Sequence, residues 1–225
     1  MHLPALLQFL EGLSQHNNRP WFVLHKPAYD ILREEFLALV TGLIDDIRKF
    51  DKDLGPIDPK KSALRIYRNL RFSRDKTPFK TQFACAIGDR AQRGFRPAYY
   101  FHIDYQGILL AGGGIYQPDK TVLANIRRHI ATHPERLTKV FRNTRFKKTY
   151  GGLAEEESLV NPPKGYAADT PHIDAIKMKH FFGIVEIDIK KHPPKDLRAE
   201  VARLFRDVHP LVEFLREAGC TVNPE

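Results

Sequence analysis

Cysteine is scarce in this chain of 225 residues: Cys85 and Cys220 stand alone and far apart. That spacing excludes a disulfide framework and a thiolate metal knuckle, and it favours a reducing compartment. Long apolar runs are missing as well. None approaches the roughly 20 residues that a membrane-spanning helix needs. Residues 1–13 are apolar at Leu3, Leu6, Leu7, Phe9, Leu10 and Leu13, but Glu11 interrupts them, and neither a basic leader nor a small-residue cleavage site is present. They read as an amphipathic first helix, and the expectation is a cytoplasmic protein with no membrane partner. No internal repeat, low-complexity tract or long linker divides the chain, so residues 1–225 are expected to form one domain.

What is present is patterned. Tyr29, Leu32, Phe36, Leu39, Leu43, Ile47 and Phe50 recur at spacings of three and four, one apolar stripe that predicts a long helix over about 27–50. The period then changes. Segments 62–68, 82–88, 98–105 and 107–112 are short, rich in aromatic and branched residues and bounded by turn residues, which predicts four strands. Gly107 supplies the turn between the last two. Segments 118–132 and 134–143 open on proline, as helices often do. Segment 151–168 reads as a loop, 180–189 as a fifth strand stopped by Pro193 and Pro194, and 195–218 as a final helix closed by Gly219. The fold class expected is α+β: a mostly antiparallel central sheet of about five strands with helices from both chain ends packed around it, laid out as N-terminal helices 1–50, sheet 60–115, helices 118–150 and a C-terminal strand and helix 180–218.

Positive charge is unevenly placed. Residues 60–80 carry eight cations against Asp75, and residues 127–148 carry eight against Glu135, so each is net +7 in a chain of net charge +9. Concentrated charge implies a field aimed at an anionic partner. In the first segment arginines fall at 65, 68, 71 and 74. Neither a helix nor a strand brings residues three apart to one point, whereas a strand running into a wrapping loop does. The guanidinium fork suits phosphate and carboxylate, Lys76 and Lys80 add point charges, Ser73, Thr77 and Thr81 add hydroxyls, and Asp75 is placed to orient one arginine. Two readings stay open: an anion site, or arginines paired internally with Glu34, Glu35, Asp45 or Asp46 of the long helix.

Several separated motifs carry a resemblance. Asn17-Asn18-Arg19-Pro20-Trp21-Phe22, Arg65-Ile66-Tyr67-Arg68, Arg71-Phe72-Ser73, Asp75-Lys76-Thr77-Pro78-Phe79-Lys80-Thr81, Gly112-Gly113-Gly114-Ile115-Tyr116-Gln117-Pro118 and Pro163-Lys164-Gly165-Tyr166 together resemble the bacterial and fungal family catalogued as domain of unknown function 2461, over roughly residues 5–215. Asn69 departs from the acidic residue associated with that position, and Phe79 stands where tyrosine is usual. The resemblance implies a shared fold and brings no established activity, substrate or cofactor.

Other candidate chemistry is thinner. Gly112-Gly113-Gly114 ends a predicted strand ahead of a helix, where backbone N–H groups can approach a phosphate, but the Lys-Ser/Thr ending of a nucleotide loop is absent; a plain tight turn is the alternative. Ser73 and Lys76 match the spacing of some acylating enzymes, yet Pro78 opposes the helix that chemistry needs. His102 and Asp104 share a strand face with Tyr100, and His129 and His133 lie four apart; neither pair has a third ligand, so no metal is assigned. Tyr67, Phe72 and Phe79 interleave with cations, as in a surface that stacks bases, or simply pack beneath the sheet. The expected site is therefore a phosphate- or carboxylate-binding one, formed by Arg65, Arg68, Arg71, Ser73, Arg74, Lys76 and Lys80 and completed by Gly113 and Gly114. The ligand is an anionic small molecule, with no catalytic residue or cofactor identified. The alternatives are a nonspecific nucleic-acid-binding protein using both basic segments, and a structural or interaction protein with its arginines in ion pairs.

Overall fold

The structure, a computed structural model, describes residues 1–69, 71, 75–88 and 97–220. The chain is α+β. Among the described residues nine helices accompany one antiparallel sheet of four strands, whose order follows the chain: β1 (Gln82–Ile87), β2 (Ala98–Asp104), β3 (Ile108–Ile115) and β4 (Phe181–Asp188). Residues 1–87, 100–111 and 186–202 form one compact unit, and residues 88–99, 112–185 and 203–225 a second.

The first unit begins with α1 (Leu3–Gln15), α2 (Arg19–Leu24) and α3 (Lys26–Phe50). Asn18 caps α2 by accepting from Trp21 N at 3.0 Å, and Pro20 sits in its first turn, where a missing N–H costs nothing. The apolar stripe of α3 buries Leu32, Phe36, Leu39, Val40, Leu43 and Ile47. Phe36 meets Phe83 edge-on at 5.4 Å and Phe101 at 5.5 Å, and Phe9 of α1 reaches Phe83 at 6.5 Å. Those rings lie on one side of the sheet, because β2 alternates strictly: Tyr99, Phe101 and Ile103 are buried, while Tyr100, His102 and Asp104 take the other face half-exposed. The β2–β3 turn is the predicted one, with Gly107 at φ +85° donating to Asp104 O.

The predicted strand over 62–68 does not form as a regular element. Residues 59–62 instead make a helical turn, α4 (Pro59–Ser62), and the chain then pairs antiparallel only at isolated bridges, Ala63 with Cys85 and Tyr67 with Phe79. Four steps from Ala63 to Tyr67 face six steps from Phe79 to Cys85, so two extra residues bulge from the returning chain and break the ladder. The sheet accordingly has four strands rather than about five.

The second unit holds α5 (Lys120–Thr132), α6 (Pro134–Arg142), α7 (Thr144–Tyr150) and α8 (Ile173–Lys177). Helix α5 starts later than Pro118, because Asp119 caps it by accepting from Thr121 N and Val122 N, both at 2.9 Å. The final helix, α9 (Leu197–Cys220), runs through Gly219 instead of stopping there. Within this unit its Val208, Leu211, Val212 and Leu215 are buried, as are Ile126, Ile130, Leu137 and Phe146 of α5 to α7.

Candidate functional site

The arginine segment lies in the first unit, on the irregular hairpin just described. Leu64 N donates to Ala84 O at 2.8 Å, Lys80 N to Ile66 O at 2.7 Å and Arg68 N to Pro78 O at 2.9 Å, which fixes both legs of the loop. Arg65, Arg71 and Lys76 are exposed, and Arg68 and Lys80 half-buried. Ser73 and Arg74 lie outside the described residues.

Arg68 is committed internally. Its Nη2 lies 3.0 Å from Asp75 Oδ2 and donates to Phe79 O at 3.4 Å. Asp75 does orient one arginine, and it is itself held by Thr77, whose N–H and hydroxyl donate to Oδ1 at 2.9 and 2.8 Å. Those bonds, the backbone one foremost, with Arg68 assisting, hold the Asp75 carboxyl below its usual range. The buried Nε of Arg68 has no hydrogen-bond partner among the described residues. Three of the four long-helix acids considered as partners are engaged elsewhere: Asp45 with Arg48, Asp46 with Lys49 and Arg198, and Glu35 with the His2 backbone N–H.

A second fastening explains why Asn17 to Phe22 and Asp75 to Thr81 behave as one motif. The Asn17 amide donates to Phe79 O at 3.0 Å and accepts from Phe79 N at 3.1 Å, pairing one side chain with both backbone groups of a residue 62 positions away. Phe22 stacks on the Phe79 ring at 4.1 Å and 16°, and Tyr67 packs against both rings. Phe79 is almost wholly buried in that stack. Sequence reading singled out Asn17 only as part of a resemblance; its pairing with Phe79 carries no local signature.

Gly113 and Gly114 lie in the second unit, inside β3 rather than in a loop beyond it. A Cβ on Gly113 would meet Val208 and Val212 at 3.0 and 3.1 Å, and one on Gly114, at φ +140°, would collide with Phe181 O at 2.2 Å. Both glycines therefore have a packing reason. The N–H groups at the start of α5 are already taken by Asp119, which removes the donors a phosphate there would use.

The remaining candidates resolve into local pairs. Gln82 Nε2 donates to Tyr100 Oη at 3.4 Å, and Tyr100 Oη lies 3.0 Å from His102 Nδ1; burial lowers the affinity of His102 for a proton, with Asp104 and Glu186 opposing. His129 and His133 stand 5.2 Å apart, with His129 Nε2 3.9 Å from Glu217. Burial and the neighbouring His133 depress His129, and no group of three metal-ligating side chains occurs among the described residues. The Cys85 thiol is buried and pushed far up by desolvation, so it is inert as a nucleophile.

The second basic segment presents a different picture. Arg127 donates to Met178 O at 3.1 Å, and Arg136 reaches Glu217 at 3.7 Å. Lys139 and Arg142 of α6 and Arg145, Lys147 and Lys148 of α7 are all exposed, and none meets a carboxylate among the described residues. The apolar faces of these helices bury Leu137, Val140 and Phe146, which turns the cations outward. Lys139 and Arg142 line a shallow groove of about 440 Å³ with Glu135, Thr138 and Asn143.

Residues 5–214 match the model of the family described as conserved hypothetical protein DUF2461, and the chain belongs to that family. No curated protein and no solved structure matches it.

Proposed function

We propose that this family member binds a polyanion, with the chemistry of a nucleic-acid backbone, through α6 and α7. One observation carries the reading: five exposed cations, Lys139, Arg142, Arg145, Lys147 and Lys148, occupy ten residues that contain no acid. Each would neutralise a phosphate and release its condensed counterion, whereas in the free protein they repel one another. Nothing in this arrangement reads base edges, so binding is sequence-independent.

The test is titration of labelled duplex DNA of mixed sequence against salt. Five phosphate contacts give a log–log slope of about −4.5, a loss of roughly 500-fold between about 50 and about 200 mM. Replacing all five cations by Gln should abolish binding while leaving the protein folded, with a melting temperature at low salt no lower than that of wild type, since the change relieves self-repulsion at exposed positions. A slope near zero, or unaltered affinity in that variant, rules the reading out.

A second reading, a site for a phosphate- or carboxylate-bearing small molecule on residues 65–80, draws support from the buried Nε of Arg68, which has no hydrogen-bond partner among the described residues. The ion pair of Arg68 with Asp75 weighs against it and favours a structural role for that arginine. Inorganic phosphate titrated against the Arg68 Nε–H resonance separates them: a saturable shift supports a site, and none up to about 20 mM, weaker than the Kd of ordinary small-anion sites, leaves Arg68 structural.

A further inference from the structure

Helices α1, α2 and α3 of the first unit enclose a cleft of about 630 Å³, within the size range of small-molecule sites. Its existence follows from small residues. Ala5, Gly12 and Ala28 line it, and a Cβ on Gly12 would stand 2.8 Å from the Trp21 ring, so glycine there lets the indole lie against α1. Phe9 and Leu32 supply an apolar, buried floor, and Ile31, 62% exposed, extends the apolar surface outward.

Part of its polar lining is unspent. Trp21 Nε1–H has no hydrogen-bond partner among the described residues, nor have the amides of Gln8 and Gln15. His25 stacks on Trp21 at 3.8 Å and 13°, and its Nδ1 lies 2.8 Å from Trp21 O. A carbonyl only accepts, so Nδ1 carries the proton and Nε2 of the neutral ring is left as an acceptor. The lining thus offers an indole donor and an imidazole acceptor beside an apolar floor. No lysine or arginine contributes, and the one carboxylate, Glu35, already accepts from His2 N at 2.7 Å. No permanent cation therefore faces an anionic ligand there, while Glu35 keeps its negative charge.

We propose that this cleft is a binding site for a small, planar, non-anionic heteroaromatic molecule that carries both a hydrogen-bond donor and an acceptor. Aromatic side chains favour a flat ring, the unspent donor and acceptor favour ring heteroatoms, and the absence of lysine and arginine from the lining disfavours an anion. This inference is independent of polyanion binding by α6 and α7.

Trp21 is the chain's single tryptophan, so the protein gives one indole N–H resonance, and its side chain lines the cleft. Full-length protein labelled with nitrogen-15 is titrated with adenine and quinazolin-4-one as neutral heteroaromatics, cyclohexanol as a nonaromatic of similar size, and benzoate as an anion. The heteroaromatics should shift the indole resonance saturably, with Kd below about 1 mM, and the other two should be at least about tenfold weaker. Ala28→Trp, at an exposed position, and Ala5→Phe, from the facing helix, each fill the cleft; a folded form of either should lose the response. Absence of any shift at about 5 mM heteroaromatic, an equal response to cyclohexanol or benzoate, or full binding by a folded cleft-filled variant overturns the proposal.

Discussion

At the scale of single residues, Asn17 and Phe79 show what the motif residues are for. The Asn17 amide satisfies both backbone groups of Phe79 beside a stacked pair of rings, where water has little access. Leaving a buried donor and acceptor unpaired costs about 1–3 kcal/mol each, so Asn17→Ala should lower stability by about 2–4 kcal/mol in urea denaturation. Asn17→Asp keeps an acceptor for Phe79 N but loses the donor to Phe79 O, and it should fall on the same side of wild type. Equal stability of both variants to wild type would remove the role given to this amide. Phe79→Tyr must place a hydroxyl beside the buried Phe22–Phe79 stack, and the same denaturation reads whether it finds a partner.

Two histidines make a further residue-scale prediction. Burial depresses both His102 and His129 below the ordinary imidazole value, so the unfolded chain binds protons at each while the folded chain does not. The sign is fixed: as pH falls through about 6.5, the unfolded state gains protons first and stability declines, until the folded-state value is passed. Urea midpoints should therefore fall between about pH 7 and pH 5. Facing groups modulate the slope: Asp104 and Glu186 soften it at His102, while at His129 Glu217 and Glu135 oppose His133 and Arg136. His102→Gln and His129→Gln should each flatten part of it, and an unchanged slope in the double variant would show the decline to come from other groups.

At the scale of elements, legibility depended on whether the signal was local. Helix α3 was readable because its stripe repeats at the helical period and is buried along its length. The segment at 62–68 looked equally strand-like, yet its pairing is decided by a two-residue bulge on the returning chain, which no pattern within 62–68 encodes. Asp119 moved the start of α5 past Pro118, and Gly112 to Gly114 remained in the strand because α9 and β4 fill the space beside them. The ion pair between α3 and α9 is likewise nonlocal. Arg198 Nε meets Asp46 Oδ2 at 2.6 Å and is the main cause of Asp46's lowered pKa, and the guanidinium lies where a Cβ on Gly42 would fall, 2.6 Å from its Cζ. Gly42→Ala gains about 1 kcal/mol of helix propensity but displaces a half-exposed pair, its Asp46 side chain 17% exposed, worth about 1 kcal/mol, so its net effect should be near zero. Arg198→Ala loses the pair without the gain and should cost about 1 kcal/mol, and the contrast in thermal midpoints checks the assignment.

At the scale of the whole molecule, the sequence located the charge but could not say how it was spent. Both basic segments are net +7, yet in the first an arginine is tied to Asp75 and Phe79, while in the second five cations stand without a carboxylate among the described residues. Partners depend on which acids the fold brings near, and Asp75, Asp45 and Asp46 are all engaged by the same rule of proximity. An unpartnered cluster destabilises the folded state by self-repulsion, and salt relieves it because the Debye length contracts to about 10 Å at 0.1 M. Melting temperature should therefore rise between about 20 and about 200 mM sodium chloride, and the variant with Gln at 139, 142, 145, 147 and 148 should be less sensitive. Screening depends on ionic strength alone, whereas a bound anion stabilises by mass action on the folded state. Sodium sulfate at matched ionic strength is the discriminating comparison, with excluded-solute effects corrected by the Gln variant, which experiences them equally. A sulfate excess present in wild type and absent from the variant means that these cations hold an anion. Equal midpoints in the two salts, once so corrected, mean that the cluster is only screened.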